Sequence, residues 1–378
     1  MTSDDRLREH RRERLAPAVR KIGLAEETAQ LRAEPHPPVT GHRQVVLVRR
    51  GPVALVLFVF EVGGFLKEHR TEGGRCQWIE VIMRITVQTV VMSALLTTLA
   101  GAQSVTTRAA EIQSQVEALA APSDISSRRA AIITRLERIG LVPEVVWFEP
   151  PPSARVSRRG ANVVAEIKGS SADVLLLGAH YDHVDRAQGV IDNAAGVAAV
   201  LQLAAAFASR PLANLTVRVA LFDLEENGLL GSRAMMQDSA RMPLPRKFLN
   251  FDVFGYGDAF WIGALDSTAP LPSALRDAGV ESGWHVVVDS LYPPSDHLSF
   301  RSTSTSSYAI SILDAADIHY LLERFRARDM NAGGTAPRIS QILHTDADTI
   351  DKLDAAAVAR ALERIELAIR RLDESFKR

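Results

Sequence analysis

Residues 174–182 read Val-Leu-Leu-Leu-Gly-Ala-His-Tyr-Asp, and residues 217–222 read Val-Arg-Val-Ala-Leu-Phe. A strand in the middle of a parallel sheet is buried on both faces, so it reads as a near-continuous apolar run rather than an alternating one. Both segments fit that description. Residues 194–209, between them, are rich in Ala, Val and Leu and predict a long helix. The three segments together predict a βαβ unit with a right-handed crossover.

Similar patterns on either side of this unit predict the rest of the domain. Helices are predicted at residues 104–120, 125–139 and 354–372. Further strands are predicted at residues 145–148, 162–168, 248–251, 259–263, 284–288 and 308–313. This order of elements favours an α/β fold, a three-layer sandwich with a mostly parallel central sheet.

Composition and charge narrow the range of possible functions and metal sites. The 378 residues carry 44 basic and 45 acidic side chains, for a net charge of -1. No overall field or basic stripe favours nucleic acid, so we expect no nucleic-acid partner and small or peptidic substrates instead. Cys76 is the single cysteine, which excludes an intramolecular disulfide and a zinc site made of several cysteines. Any metal site must use His, Asp and Glu.

Residues 83–102 have the pattern of a signal peptide. Met83-Arg84 precedes a short apolar segment, and Ala100-Gly101-Ala102 supplies small residues at a cleavage site before Gln103. The apolar segment is short and contains threonines, which disfavours a stable membrane anchor. We therefore expect a secreted or periplasmic domain spanning residues 103–378. Residues 1–82, which include a truncated cupin-like fragment, are expected to be a gene-model or fusion artefact.

Acidic and histidine side chains follow several predicted strands. Ligands bind at the carboxyl ends of the strands in open α/β sheets, so these residues are candidates for metal binding or catalysis. The candidate metal ligands are His180, Asp192, Glu226, Asp252 and His344. They supply the nitrogen and oxygen atoms that Zn²⁺ binds in proteins. Carboxylates that converge without a cation repel one another, and a bound metal removes that conflict.

The spacing of these residues resembles the di-zinc aminopeptidase family over about residues 104–378. This family of co-catalytic zinc exopeptidases includes bacterial leucyl aminopeptidases and, more distantly, glutaminyl cyclases and glutamate carboxypeptidases. The matching segments are residues 178–182 (Gly-Ala-His-Tyr-Asp), 192–196 (Asp-Asn-Ala-Ala-Gly), 225–232 (Glu-Glu-Asn-Gly-Leu-Leu-Gly-Ser), 250–252 (Asn-Phe-Asp) and 344–349 (His-Thr-Asp-Ala-Asp-Thr). The resemblance implies the zinc-exopeptidase fold and two bound Zn²⁺ ions.

The resemblance also implies a role for each ligand. Asp192 would bridge the two zinc ions. His180 and Asp252 would complete the coordination of one ion, and Glu226 and His344 that of the other.

Three more residues receive roles by the same resemblance. Glu225 would act as the general base that takes a proton from a zinc-bridging water and delivers it to the leaving amine. Asp182 would hold the second ring nitrogen of His180 and so fix its tautomer. His297 lies in residues 295–300, Ser-Asp-His-Leu-Ser-Phe, where the family often has proline at the fifth position. Binding of substrate and stabilisation of its own loop are both open for His297.

The leading functional prediction is an aminopeptidase that hydrolyses N-terminal peptide bonds of peptides or small proteins. A glutaminyl cyclase would use one zinc ion and release no free amino acid, and a carboxypeptidase would recognise the other end of the peptide. A non-catalytic, receptor-like member is the alternative from a different class. We expect such a member to have lost ligands, whereas this sequence retains all five and the base.

Overall fold

In a computed structural model of the chain, the described residues are 105–122, 124–154, 156–329 and 336–376. The predicted signal peptide at 83–102 and the upstream residues 1–82 lie outside these ranges. The expectations for both segments therefore stay predictions.

One eight-stranded mixed sheet organises the described residues. Its strands are β1 (Glu144–Phe148), β2 (Gly160–Ile167), β3 (Val174–His180), β4 (Thr216–Phe222), β5 (Lys247–Phe251), β6 (Ala259–Gly263), β7 (His285–Asp289) and β8 (Ser306–Leu313). The order across the sheet is β1-β2-β4-β3-β5-β8-β6-β7. Strands β4, β3, β5 and β8 pair in parallel, as do β6 and β7, whereas β1–β2, β2–β4 and β6–β8 are antiparallel. This sheet confirms the predicted α/β class with a mostly parallel centre.

The helices cover both faces of the sheet. They are α1 (105–120), α2 (Ile125–Arg138), α3 (Ala195–Ser209), α4 (Leu230–Gln237), α5 (Pro270–Val280), α6 (Ala315–Ala327) and α7 (Ala355–Glu374). The stretch Val190–Ser209, which contains α3, is long and apolar enough to span a membrane by length and composition. However, 89% of its most apolar 18-residue window is buried inside the protein, where α3 contacts β3, β4 and β5. It is the central core helix.

Alternate side chains of β3 belong to two different hydrophobic clusters. Leu175 and Leu177 join the large cluster that includes α3 and α7. Leu176 joins a smaller cluster on the other face with Met235 of α4 and Phe300. Burial on both faces is the reason that this strand needs an unbroken apolar run.

The parallel centre brings three chain segments to one edge of the sheet. His180 ends β3 opposite Phe222, the last residue of β4, and Gly178 lies opposite Asn250 near the end of β5. The residues that follow β4 and β5 therefore begin beside His180. Acidic residues that follow these strands, or that precede the helix behind them, can converge there. They are Asp182, Asp192, Glu225, Glu226 and Asp252.

Candidate metal centre

His180 lies among carboxylates at the end of β3. Its Nε2 atom is 3.1 Å from Oδ1 of Asp192 and 3.3 Å from Oδ1 of Asp252. The His180 side chain is 1% exposed, so its partners hold it in a region closed to bulk water. These three residues form the first candidate metal group.

A second group shares the same aspartate. The Nε2 atom of His344 is 3.1 Å from Oδ2 of Asp192 and 3.2 Å from Oε2 of Glu226. In each of the two groups, the candidate ligand atoms lie within 4.8 Å of one another. The structure thus brings all five predicted ligand residues together, with one oxygen of Asp192 facing each histidine. The His344 side chain is 51% exposed, so this side of the centre opens to solvent.

Asp192 lies in an irregular turn, Val190–Ala194, immediately before α3. Its backbone N–H donates to Oδ2 of Asp348 at 3.2 Å, and the N–H of Ile191 donates to Oδ1 of the same carboxylate at 2.7 Å. The side-chain amide of Asn193 donates to the carbonyl of Phe251 at 2.8 Å. These bonds attach the turn to the His344 loop on one side and to the end of β5 on the other.

Asp348 holds the turn that carries Asp192 and is not among the residues predicted for the site. It lies in the last quoted motif, four positions after His344, and it is fully buried. Burial raises the pKa of Asp348 to about 6. Its place in that motif was the signal that could have identified it.

Asp182 connects the end of β3 to the turn after β4. Its Oδ1 atom accepts the N–H of Glu225 at 3.0 Å, and its Oδ2 atom accepts the N–H of Glu226 at 3.1 Å. The Nδ1 atom of His180 is 3.5 Å from Oδ1 of Asp182 and 3.2 Å from its carbonyl oxygen. Asp182 therefore lies where it orients both the imidazole and the pair of glutamates.

The electrostatics of the chain alone fit a cation at this centre. Burial raises the pKa of Glu225 well above its usual range, and the charges of Asp252 and Asp296 raise it further, against the opposing effect of His180. Burial also raises the pKa of Glu226, whose Oε1 atom is buried and has no hydrogen-bond partner among the described residues. Converging carboxylates with an unpartnered buried oxygen are a suitable donor set for Zn²⁺.

The histidines respond to the same carboxylates. Burial lowers the pKa of His180, but the charge of Glu225 and hydrogen bonds to the surrounding aspartates raise it well above 6.5 overall. Hydrogen bonds to Asp192 and Glu226 raise the pKa of His344 to about 10. Both imidazoles thus lie in strongly negative surroundings, which also favour a divalent cation.

His297 lies apart from these groups in the short 3₁₀ helix Asp296–Phe300. It is 1% exposed, its ring packs edge-on against Tyr292 with centroids 5.4 Å apart, and its Nε2 atom is 3.4 Å from the guanidinium of Arg301. Burial lowers the pKa of His297 to about 3. The substrate-binding role stays a prediction, and the burial favours stabilisation of its own loop.

The sheet and the paired acid–histidine groups define an α/β protein with the zinc-exopeptidase fold. A Zn-dependent exopeptidase from Parabacteroides distasonis matches with a TM-score of 0.55 and 16% identity, covering 69% of this chain and 97% of that one. Glutaminyl cyclase from Porphyromonas gingivalis matches with a TM-score of 0.56 and 16% identity, covering 70% and 98%. At these identities the likeness is one of fold.

A sequence model of peptidase family M28 matches residues 162–369, and the chain belongs to this family. The match confirms the family-level prediction made from the motifs. The probable lipoprotein aminopeptidase LpqL of Mycobacterium tuberculosis is 29% identical over 217 residues, which are 53% of this chain and 43% of that protein. The chain thus spans less than half the length of this curated relative.

Proposed function

We propose that this chain is a two-zinc aminopeptidase that removes residues from the N-terminus of peptides. The observation that carries the proposal is the pair of acid–histidine groups that share the carboxylate of Asp192. Two groups that share one carboxylate are better suited to binding two neighbouring ions than to binding a single ion. Membership in a peptidase family and the relative named as an aminopeptidase support the same reaction.

His180, Asp192 and Asp252 would hold one ion, and Asp192, Glu226 and His344 the other. When bound, zinc supplies Lewis-acid chemistry that polarises the scissile carbonyl and acidifies water. Glu225 accepts a proton from the attacking water at its carboxylate and delivers it to the amine that leaves. Burial raises the pKa of Glu225 above the ordinary glutamate value, which helps this carboxylate to keep the proton between the two transfers. Asp182 fixes the backbone of Glu225 during both transfers.

A substrate panel tests this proposal. The full chain should be given aminoacyl p-nitroanilides, N-acetylated aminoacyl p-nitroanilides, peptides blocked only at the C-terminus and peptides with N-terminal glutamine, each with and without a chelator. We expect free amino acid from substrates with a free N-terminus, loss of activity with chelator, and about two zinc equivalents in the active protein. Cyclisation of N-terminal glutamine with one zinc equivalent, or cleavage that requires a free C-terminus, would overturn the aminopeptidase assignment.

A matched pair of histidine variants controls for general damage. His344→Ala removes a proposed ligand and should reduce zinc content and activity. His319→Ala removes an exposed histidine that pairs with Glu323 at 3.2 Å on α6, and both properties should remain as in the unchanged protein.

We also propose that the domain is exported and that its processed chain begins near Gln103. The support is the signal-peptide pattern of residues 83–102, and the relative from M. tuberculosis is named as a lipoprotein. N-terminal sequencing of active protein from the native host tests the proposal. Active protein that retains residues 1–82 would contradict it.

A further inference from the structure

Arg128 is a buried cation behind the metal centre. It lies on α2 and is 1% exposed, although most arginines of soluble proteins reach solvent. One terminal nitrogen donates to the carbonyl of Tyr181 at 3.3 Å, and the other donates to the carbonyl of Gln188 at 2.7 Å. Tyr181 follows His180 directly, and Gln188 precedes the turn that carries Asp192. The guanidinium therefore connects the two ends of the loop between these proposed ligands.

Arg128 also faces the carboxylates that support the ligands. Burial lowers the pKa of Arg128 to about 10, and the charges of Asp182 and Asp348 act in the opposite direction, so the group stays protonated at neutral pH. Both acids are almost completely buried. Asp182 holds the glutamate turn, and Asp348 holds the Asp192 turn. The charge of Asp182 also acts on Arg158, but the hydrogen bonds of Arg158 go to the carboxylate of Asp223 and to the carbonyl of Arg159.

The end of the loop fits tightly between Arg128 and Asp192. Gly189 has a φ of 63°, which favours glycine. A Cβ atom built there would lie 2.7 Å from the carbonyl oxygen of Asp192 and 3.4 Å from Nη1 of Arg128. Gly189 therefore leaves very little free space between the guanidinium and the backbone of Asp192.

We propose that Arg128 is a positioning residue of the metal centre. It fixes residues 181–189 and stabilises the ionised, buried carboxylates of Asp182 and Asp348, which hold the two turns that carry the ligands, so that the ligands stay in position for zinc. Arg128 precedes residues 162–369, the part of the chain that the family model matches, so helix α2 contributes to a site whose ligands all lie within that part. This inference rests on the proposed metal function.

Three variants of the full chain test the role. Arg128→Met introduces an uncharged side chain of similar length, so that the charge and both hydrogen bonds are lost. Arg128→Lys keeps the charge but replaces the two-pronged guanidinium by a single ammonium. Arg138→Met makes the same arginine-to-methionine substitution at an exposed position of the same helix and is the matched control.

The readouts are the rate of zinc transfer to a chromogenic chelator, the visible absorption of the Co²⁺-substituted protein, and circular dichroism as a check of folding. Loss of a residue that orients metal ligands typically weakens metal binding by about 10- to 100-fold. We expect Arg128→Met to release zinc faster by a factor in that range and to change the Co²⁺ spectrum. Arg128→Lys should lie between Arg128→Met and the unchanged protein, and Arg138→Met should match the unchanged protein.

A folded Arg128→Met protein with unchanged zinc release and an unchanged Co²⁺ spectrum would overturn the inference. If Arg128→Met does not fold, Arg128→Lys decides, since normal zinc release and a normal spectrum in that variant would also overturn it. Absence of zinc from the unchanged protein would instead refute the proposed metal function.

Discussion

Glu225 and Glu226 are adjacent in the chain and have the same side chain, yet their surroundings differ. Glu226 is 3.2 Å from His344 within a candidate metal group, whereas Glu225 belongs to neither group. We predict that Glu225→Gln keeps its zinc while turnover falls by about 10²- to 10⁴-fold, the usual contribution of a general base. Glu226→Gln should lose zinc from one site, because a neutral amide is a poorer ligand than a carboxylate.

Elemental analysis and turnover of the two variants, measured side by side, check this prediction. Glu323→Gln changes an exposed glutamate of α6 in the same way and should leave both measurements unchanged. Loss of zinc from Glu225→Gln together with full zinc in Glu226→Gln would show that the two roles are exchanged.

His297 makes the free energy of unfolding depend on pH. Its folded-state pKa is lowered to about 3 from an ordinary value of 6.5. Between these values the unfolded chain binds a proton that the folded chain does not, so stability is present above pH 6.5 and decreases as the pH falls. One proton corresponds to at most about 1.4 kcal/mol per pH unit.

We therefore predict that His297→Gln flattens the acid side of the stability curve between about pH 4 and 6.5. Urea unfolding of chelator-treated protein measures the effect without interference from metal loss. His319→Gln, at an exposed position, is the control. An unchanged slope in His297→Gln would mean that this imidazole is protonated in the folded state.

The Asp348 carboxylate joins the loop of residues 344–348 to the turn before α3. It accepts two backbone N–H groups, from Ile191 and Asp192. Asp348→Asn keeps the size but replaces one acceptor oxygen by a donor, which leaves one buried N–H without a partner. Such a group costs about 1–3 kcal/mol of stability, and we expect weaker zinc binding as well because Asp192 is less well held.

Urea unfolding and zinc titration measure both effects. Asp346→Asn makes the same change at an exposed position two residues earlier and should be neutral. If Asp348→Asn unfolds at the same urea concentration as the unchanged protein and binds zinc normally, the loop and the turn are held together by other contacts.

The metal centre connects segments that are far apart in the chain. Its proposed ligands run from His180 to His344 and come from two strand ends, two turns and one loop. A ligand that binds the folded state alone stabilises it by about 4 kcal/mol at a concentration 1,000 times its Kd. We predict that chelation lowers the melting temperature and that added Zn²⁺ restores it.

Differential scanning calorimetry checks this prediction. Asp192→Asn, which weakens the shared ligand, should show a much smaller response to Zn²⁺ than the unchanged protein. Equal melting temperatures with and without the chelator would contradict a structural contribution from bound metal.

The strands could be predicted from the sequence because burial on both faces requires long apolar runs. All eight predicted strands are present, although their ends differ by a few residues. The candidate ligands could be predicted because acids and histidines follow those runs at spacings that resemble a known family. Short helices gave a weaker signal. Helix α5 was not predicted, since it begins with Pro270, contains Pro272 and buries only a narrow face.

Pairing and burial depended on the tertiary structure. The antiparallel pairing of β2 with β4 and of β6 with β8 results from contacts between segments distant in the chain, and a strand's own residues carry little information about its partner's direction. The contacts of Arg128 and Asp348 and the burial of His297 have the same origin. Sequence alone therefore determined the class of fold and the family, and it predicted a ligand set, because these follow from local patterns. Only the folded chain decided which charged groups lie buried behind the ligands, because burial is a property of the packed molecule.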